Sequence, residues 1–183
     1  MDNGACSYRR FLEGDEEGLV EIIRDYKDGL IFYINSFVCN IHTAEDLAQE
    51  TFVRLALKRP KDKQKGSFKT WLYTIGRNVA IDWLRKRREK VSLEEIKQIE
   101  SDEMLLEASY IKEEERIAVH RAMSVLKEEY RQVLWMVYFE GFSNREAALV
   151  MGKSVHAVET LVYRARLALK DSLKKGGFVY ENV

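Results

Sequence analysis

The segment Phe68–Arg88, FKTWLYTIGRNVAIDWLRKRR, brings cations, hydroxyls, an amide and aromatic rings together on one stretch of chain. Arginine and lysine side chains bind phosphates, and aromatic rings stack on unpaired bases at about 1–3 kcal/mol each. These residue types therefore indicate a surface for single-stranded or locally opened nucleic acid. The residues alone leave a second interpretation open, a solvated amphipathic helix whose run of cations from Arg85 to Arg88 suits the helix dipole.

A single helix would hold these side chains in place. Apolar residues recur with the spacing of one helical face, at Phe68, Leu72, Ile75, Val79 and Trp83. Ser67 precedes the run and suits an N-cap. The pattern predicts an opposite face formed by Thr70, Thr74, Arg77, Arg85 and Arg88, with Trp71 and Tyr73 towards the edges.

A second candidate for nucleic acid binding lies near the C-terminus. Ser143 and Glu146 have the spacing of a capping box at the start of a short helix, and Ser154 would cap a longer helix that continues to about Lys170. Two such helices joined by a turn at Gly152 form a helix-turn-helix, whose second helix enters the major groove. The alternative is a helical hairpin without a DNA role. The outward residues of the second helix are His156, Glu159, Thr160, Tyr163, Arg164 and Arg166.

The helix predicted over residues 44–58, after a capping-box-like start at Thr43, has more apolar surface than one buried face requires. Carboxylates, an amide and aliphatic side chains in one line are typical of a protein-binding surface. The alternative is that the two aliphatic residues pack on a neighbouring helix of the same domain. The line consists of Asp46, Gln49, Glu50, Val53 and Leu57.

The formal net charge of zero conceals a strong segregation of charge. Residues 67–90 carry 7 lysines or arginines against 2 acids, whereas residues 91–115 carry 2 against 9. Strand signals are weak, and helical periods dominate. We therefore predict an all-α protein of two small helical domains, residues 1–90 and 113–183, joined by a flexible acidic linker over residues 91–112.

Several classes of protein are disfavoured by composition. His42, His120 and His156 are scattered, with no cluster of nucleophile, base and orienting group, so we expect no catalytic residues and no enzyme. Cys6 and Cys39 do not suggest a disulfide framework, and we expect neither a metal site nor a cofactor. The chain has no apolar run of about 18 residues and no apolar signal core, so we expect a cytoplasmic protein without membrane insertion.

Three segments together resemble a known family. AEDLAQETFVRLAL at residues 44–57, FKTWLYTIGRNVAIDWLRKRR at 68–88 and FSNREAALVMGKSVHAVETLVYRARLAL at 142–169 look like the conserved regions of extracytoplasmic-function (ECF) sigma factors of bacterial RNA polymerase, and they occur in the family's order. The resemblance covers about residues 11–173. It implies a sigma-2 domain, which opens and recognises the −10 element, and a sigma-4 helix-turn-helix domain, which recognises the −35 element.

The resemblance also implies partners and contact residues. The helix over 44–57 would bind the clamp helices of the polymerase β′ subunit, sigma-4 would sit on the β flap, and an anti-sigma factor would cover both domains. Asp46, Gln49, Glu50, Val53 and Leu57 would contact the polymerase. Trp71 matches an aromatic that belongs mainly to the core. The expected −10 contacts are Lys65, Ser67, Tyr73, Arg77, Asn78, Asp82, Arg85 and Arg88, and the expected −35 contacts are Ser154, His156, Glu159, Thr160, Tyr163, Arg164 and Arg166.

The recognition helix departs from the pattern of many family members, which carry a G-T-V-K/R-S-R segment. Here the chain has His156-Ala157-Val158-Glu159-Thr160-Leu161. Two other functions compatible with the residues are a free-standing helix-turn-helix regulator, which would bind a palindromic duplex without polymerase, and an adaptor whose acidic linker mimics nucleic acid.

Overall fold

The computed structural model describes residues 4–58, 66–91, 119 and 121–176 of the 183. All regular structure within these ranges is helical, which confirms the predicted fold class of two helical domains. The described residues exclude Lys65, almost all of the predicted acidic linker at 91–112, His120 and the residues from 177 onward.

The N-terminal domain contains helices α1 (Ala5–Leu12), α2 (Glu17–Val38), α3 (Ile41–Lys58) and α4 (Phe68–Val91). Cys39 separates α2 from α3 because it adopts a left-handed conformation with φ of 52°. The side-chain oxygen of Asn40 then accepts a hydrogen bond of 2.8 Å from the Thr43 backbone amide. The prediction that Thr43 begins this helix is therefore wrong, since the helix starts earlier and Asn40 satisfies its first free amides.

The core of this domain is built from α2, α3 and α4. Tyr33, Ile34, Leu55 and Leu72 are fully buried, and each lies on the apolar stripe of its own helix. The helix α4 begins at Phe68 as predicted, with its Thr70 amide donating to the Ser67 hydroxyl at 3.2 Å. This N-cap and the buried stripe fix which side of α4 faces away from the core.

The C-terminal domain contains α5 (Glu128–Leu134), which continues as a π-helical turn over Trp135–Phe139, and then α6 (Asn144–Met151) and α7 (Val155–Lys175). Gly141, with φ of 67°, follows the end of the π-helical turn, and the predicted helix end there is confirmed. The capping box at Ser143 and Glu146 is present. Gly152, with φ of 65°, forms the turn of the helix-turn-helix, and α7 extends beyond the predicted Lys170.

The two domains pack directly against each other. The rings of Phe32 on α2 and Trp135 have centroids 5.2 Å apart, and those of Tyr73 on α4 and Phe142 are 5.0 Å apart. Arg131 Nε donates to the Ser36 carbonyl at 3.1 Å. The C-terminal domain therefore covers part of α2 and the first turns of α4.

Candidate nucleic-acid and polymerase interface

One side of the C-terminal half of α4 faces solvent. Asn78, Arg85 and Arg88 are exposed, as a role in phosphate binding requires. The Asp82 carboxylate lies 3.3 Å from an Arg85 nitrogen and 3.9 Å from an Arg54 nitrogen on α3. Asp82 therefore joins the basic end of α4 to α3 and offsets part of the local positive charge.

The N-terminal half of α4 is covered by the other domain. Tyr73 is fully buried, and its hydroxyl donates to Glu140 Oε2 at 2.6 Å. Burial, followed by the neighbouring Glu140 carboxylate, raises the pKa of the Tyr73 phenol far above its usual range. The Ser67 hydroxyl lies 3.4 Å from Glu146 Oε1. Two of the predicted −10 residues, Ser67 and Tyr73, thus contact carboxylates of the C-terminal domain.

The burial of Thr70 contradicts the prediction from helical spacing. The apolar spacing predicts it on the exposed side of α4, but it is only 2% exposed. The Cγ2 atom of Thr70 and the Cδ1 atom of Leu149 both lie 3.2 Å from the position that a Cβ atom on Gly66 would occupy. The prediction fails because a helical wheel identifies one buried stripe, whereas α4 is buried on two sides.

Arg77 is turned partly inward. Within the described ranges, its buried Nε atom has no hydrogen-bond partner, and neither does the buried hydroxyl of Tyr33. Burial raises the pKa of the Tyr33 phenol, and the positive charge of Arg77 opposes that rise. The guanidinium therefore lies near a neutral phenol in this arrangement rather than pointing freely to solvent.

Trp71 belongs to an aromatic cluster of the N-terminal domain. Its ring centroid lies 5.2 Å from that of Tyr8 and 5.7 Å from that of Phe68. Edge-on contacts of this kind stabilise the packing of α1 on α4. The position agrees with the core role expected for this residue.

The line of residues predicted to bind polymerase on α3, called the α3 edge below, is exposed to solvent. Val53 is 49% exposed and Leu57 is 79% exposed. The alternative that they pack on a neighbouring helix of the same domain is therefore wrong. The three polar members of the line are also exposed, namely Asp46, Gln49 and Glu50.

Sequence reasoning missed a cleft of about 420 Å³ between α3 and α4. Asp46 and Glu50 line it from α3, while Asp82, Trp83 and Lys86 line it from α4. Helical spacing places each residue on its own helix but cannot show that the two helices leave a gap. The cleft makes the predicted polymerase-binding edge of α3 continuous with the basic end of α4.

The second helix of the helix-turn-helix presents its first turns to solvent. The Ser154 hydroxyl accepts from the Ala157 amide at 3.2 Å and so caps α7. The side chains of His156 and Glu159 are 92% and 53% exposed, with 3.9 Å between His156 Nδ1 and Glu159 Oε2. Tyr163, Arg164 and Arg166 are exposed as well, whereas Thr160 is half-buried.

Sequence reasoning also missed Glu140 and Lys69. Lys69 Nζ lies 2.9 Å from Glu140 Oε2 and donates to the Glu140 carbonyl at 2.6 Å. Nothing in the sequence near Glu140 distinguishes it from a solvated residue at the end of a helix. Its role follows only from the packing of one domain on the other.

Neither a membrane-spanning helix nor a metal-binding cluster occurs among the described residues. No helix among them is both long enough and apolar enough to cross a bilayer. No group of three or more histidines, cysteines or acids within the described ranges could hold a metal ion.

The chain is similar in sequence to known proteins over most of its length. Residues 22–90 match the family of sigma-70 region 2, and residues 116–169 match that of sigma-70 region 4. The RNA polymerase sigma factor YlaC of Bacillus subtilis (strain 168) is 30% identical over 166 residues, which cover 87% of this chain and 94% of YlaC. The ECF RNA polymerase sigma factor SigW of the same organism is 28% identical over 172 residues, covering 88% of this chain and 92% of SigW.

A solved structure has the same fold over most of the chain. The sigma factor RpoE of Bartonella quintana, crystallised with the anti-sigma factor NepR, superposes with a TM-score of 0.74 at 25% sequence identity. The superposition covers 84% of this chain and 95% of that one. The two helical domains described above therefore occur together in a known protein.

Proposed function

This chain belongs to the extracytoplasmic-function sigma factors of the sigma-70 family, and from that membership we propose that it binds core RNA polymerase and directs transcription initiation at a set of promoters. The observation that carries the proposal is the presence, in one chain, of an open apolar-acidic edge on α3 and an open basic end on α4, next to a helix-turn-helix. The relatives favour this function over a free-standing helix-turn-helix regulator. We divide the chain into a sigma-2 domain at 1–90, a linker at 91–112 and a sigma-4 domain at 113–183.

The polymerase contact in this proposal is the α3 edge. Exposed aliphatic side chains flanked by carboxylates suit a partner surface that offers both an apolar patch and cations. Val53 and Leu57 would supply most of the binding energy, since apolar area that is already exposed gains the most on burial. Asp46, Gln49 and Glu50 would set the orientation, on the clamp helices of the β′ subunit.

The −10 contact in this proposal is α4. Arg85 and Arg88 would neutralise phosphates, and Asn78 offers both a donor and an acceptor to a base edge. Lys65, Ser67, Tyr73, Arg77 and Asp82 complete the proposed set. Holding unpaired bases against α4 would offset the few kcal/mol that unstacking costs, and this binding would stabilise the opened promoter.

The −35 contact is the solvent-facing side of α7. The capped N-terminus at Ser154 would approach a phosphate, as helix N-termini do. His156, Glu159, Thr160 and Tyr163 would face the major groove, where a carboxylate accepts from a cytosine amine and a threonine methyl contacts thymine. Arg164 and Arg166 would bind the backbone and fix the register. The domain would sit on the β flap.

The proposal also concerns the protein when it is not bound to polymerase. We propose that it is not an enzyme, acts without a cofactor in the cytoplasm, and is held inactive by an anti-sigma factor. The exposed apolar edge of α3 supports such an inhibitor, because a protein that covered Val53 and Leu57 would compete with polymerase for the same surface.

Run-off transcription tests the proposal. Core polymerase would be mixed with the purified chain and a library of genomic fragments, and the start sites would be mapped. We expect a subset of fragments to give transcripts that core alone does not make, with shared sequences about 10 and 35 base pairs upstream. If no fragment gains transcription over core alone, the proposed function is wrong.

A further inference from the structure

Four charged side chains form a chain of ion pairs that runs from α3 to α4. Arg54 Nε donates to Glu50 Oε1 at 2.7 Å, and Arg54 Nη1 lies 3.9 Å from Asp82 Oδ2. The other carboxylate oxygen of Asp82, Oδ1, lies 3.3 Å from Arg85 Nη2. Alternating charges thus join the α3 edge, which is proposed to bind polymerase, to the end of α4 that is proposed to bind DNA.

Arg54 lies between these two surfaces and belongs to neither of them. Its side chain is 30% exposed, whereas those of Glu50, Asp82 and Arg85 are 47%, 41% and 66% exposed. A guanidinium carries five N–H donors in a fixed fork, so one arginine can pair with two carboxylates. Arg54 is therefore placed to respond to a change at either surface.

The two carboxylates compete for Arg54. In the free chain the guanidinium is held by Glu50, which leaves Asp82 closer to Arg85 than to Arg54. Glu50, Arg54 and Asp82 all line the cleft of about 420 Å³ between the two helices, so the guanidinium has room to move. Ion pairs with this degree of exposure are individually weak, and a new partner for Glu50 can reverse the preference.

A cation on the polymerase would be such a partner. We propose that Arg54 is a positioning residue that couples the polymerase contact of α3 to the DNA contact of α4. When a polymerase cation pairs with Glu50, Arg54 moves towards Asp82. Asp82 then no longer holds Arg85, whose guanidinium becomes free to bind a phosphate. The inference rests on the proposed functions of the α3 edge and α4.

The coupling acts in both directions. A phosphate that binds Arg85 leaves Asp82 to pair with Arg54, and this frees Glu50 for the polymerase. Linkage requires each ligand to raise the affinity for the other by the same factor. Because the pairs are partly exposed, we expect a factor of about fivefold, at the lower end of the usual range of roughly 5- to 150-fold.

Substitutions at Arg54 separate its charge from its packing. Arg54→Met keeps most of the side-chain length but removes the cation, whereas Arg54→Lys keeps a cation that can pair with Asp82. Arg85→Gln removes the proposed phosphate ligand and is also combined with R54M. Arg24→Met is the matched control, because it removes the same charge from α2, where the 68% exposed Arg24 pairs with Asp25 at 3.1 Å outside both surfaces.

Two affinities are measured for each full chain, after circular dichroism has confirmed its helical content. The first is capture by core polymerase in the absence of DNA. The second is binding of the saturated holoenzyme to a fluorescent forked DNA with an unpaired −10 strand, taken from a promoter mapped by run-off transcription. The second affinity is measured over a series of salt concentrations, since each phosphate contact on a single strand changes the slope of log affinity against log salt by about 0.7.

The expected results differ between the two affinities. R54M should lower DNA affinity about fivefold and flatten the salt slope by about 0.7, and R54K should restore most of both losses. R85Q should bind DNA at least as weakly, and R54M/R85Q should be no weaker than R85Q because Arg54 acts through Arg85. Capture of R54M without DNA should equal or exceed that of the wild type, since Glu50 is then unpaired. R24M should change either affinity by about twofold at most.

The possible failures are distinguishable. The coupling is overturned if R54M binds DNA as well as the wild type, or if the losses from R54M and R85Q add in full. Weaker capture of R54M in the absence of DNA overturns it as well, because Arg54 would then support the polymerase contact or the fold. If the chain supports no transcription from any fragment, the proposed function itself is wrong, and the coupling falls with it.

Discussion

The two helices proposed to bind DNA, α4 and α7, differ in how much of their surface the rest of the protein buries. Tyr73 on α4 is fully buried and Thr70 is 2% exposed, whereas Tyr163 on α7 is 64% exposed. Both helices have one apolar stripe and polar residues elsewhere. The difference teaches that a mixed polar-aromatic face is not by itself a free binding surface, since the same residue types can line a contact between domains.

The largest expected difference between the two helices is in stability. Tyr73→Ala should lower the free energy of unfolding by about 3 kcal/mol or more, because it empties a fully packed site next to Phe142. Tyr163→Ala should change it by about 0.5 kcal/mol at most, since the ring is exposed. Urea unfolding followed by circular dichroism measures both. Equal effects would mean that the two faces are equally covered in solution.

A second difference is expected between exposed aliphatic residues on α3 and on α2. Leu57→Gln should weaken capture by core polymerase about tenfold or more, because the 79% exposed side chain would be buried in that complex. Val20→Gln on α2 is the control, since Val20 is also exposed, at 52%, but lies outside the proposed edge. Neither change should lower the unfolding midpoint noticeably. Pull-down titration with core polymerase gives the two affinities, and similar losses for both variants would contradict the assignment of the α3 edge.

A smaller effect on stability is expected at the N-cap of α7. Ser154→Ala removes the oxygen that accepts from the Ala157 amide and should lower stability by about 1 kcal/mol. Ser154→Asp supplies an equally good acceptor and should restore most of the loss. Thermal unfolding of the three proteins measures this series. An aspartate variant as unstable as the alanine variant would show that the hydroxyl does not cap α7.

The smallest expected effect is a pH dependence at Glu146. The Ser143 hydroxyl, and then the Ser143 backbone amide, lower the pKa of this carboxyl below its ordinary value of 4.5. A lowered folded-state pKa contributes stability that is present above 4.5 and is lost as the pH falls through the lowered value. Glu146→Gln lacks that contribution at every pH.

Melting temperatures of the wild type and E146Q should therefore differ most near neutral pH and converge as the pH falls from 4.5 through the lowered pKa of Glu146. Ser143→Ala, which removes the hydroxyl donor but keeps the carboxyl, should show a weaker pH dependence than the wild type. A constant gap between wild type and E146Q across this range would exclude the stabilised carboxylate.

Much of the fold could be predicted because its signals are local. A stripe of apolar residues at helical spacing identified α4 and its start at Phe68, and the Ser143–Glu146 pair identified the start of α6. The start of α3 was misplaced because an asparagine cap at Asn40 competes with the threonine signal three residues later. The backbone conformation at Cys39 decides which of the two residues caps the helix, and the spacing of residues in the sequence does not reveal that conformation.

The candidate site was predictable only in part. The outward positions of His156 and Glu159 follow from the buried positions of Val158 and Ala165 on the same helix. Ser67, Tyr73 and Arg77 could not be placed in the same way, because their surroundings are distant in sequence. Ser67 and Tyr73 contact carboxylates of the C-terminal domain, and Arg77 lies near Tyr33 on α2. Their −10 roles remain predictions, as do those of the other assigned contacts.

The sequence by itself determined the start of α4 at Phe68, the capping box at Ser143, the helix-turn-helix and the membership of the sigma factors, since each depends on residues within a few turns of one another or on matched segments. Only the tertiary structure decided that Val53 and Leu57 are open, that α4 is buried on two sides, and that Glu140 lies between Lys69 and Tyr73. The physical reason is that burial and ion pairing between distant segments depend on how whole helices pack, which no local spacing encodes.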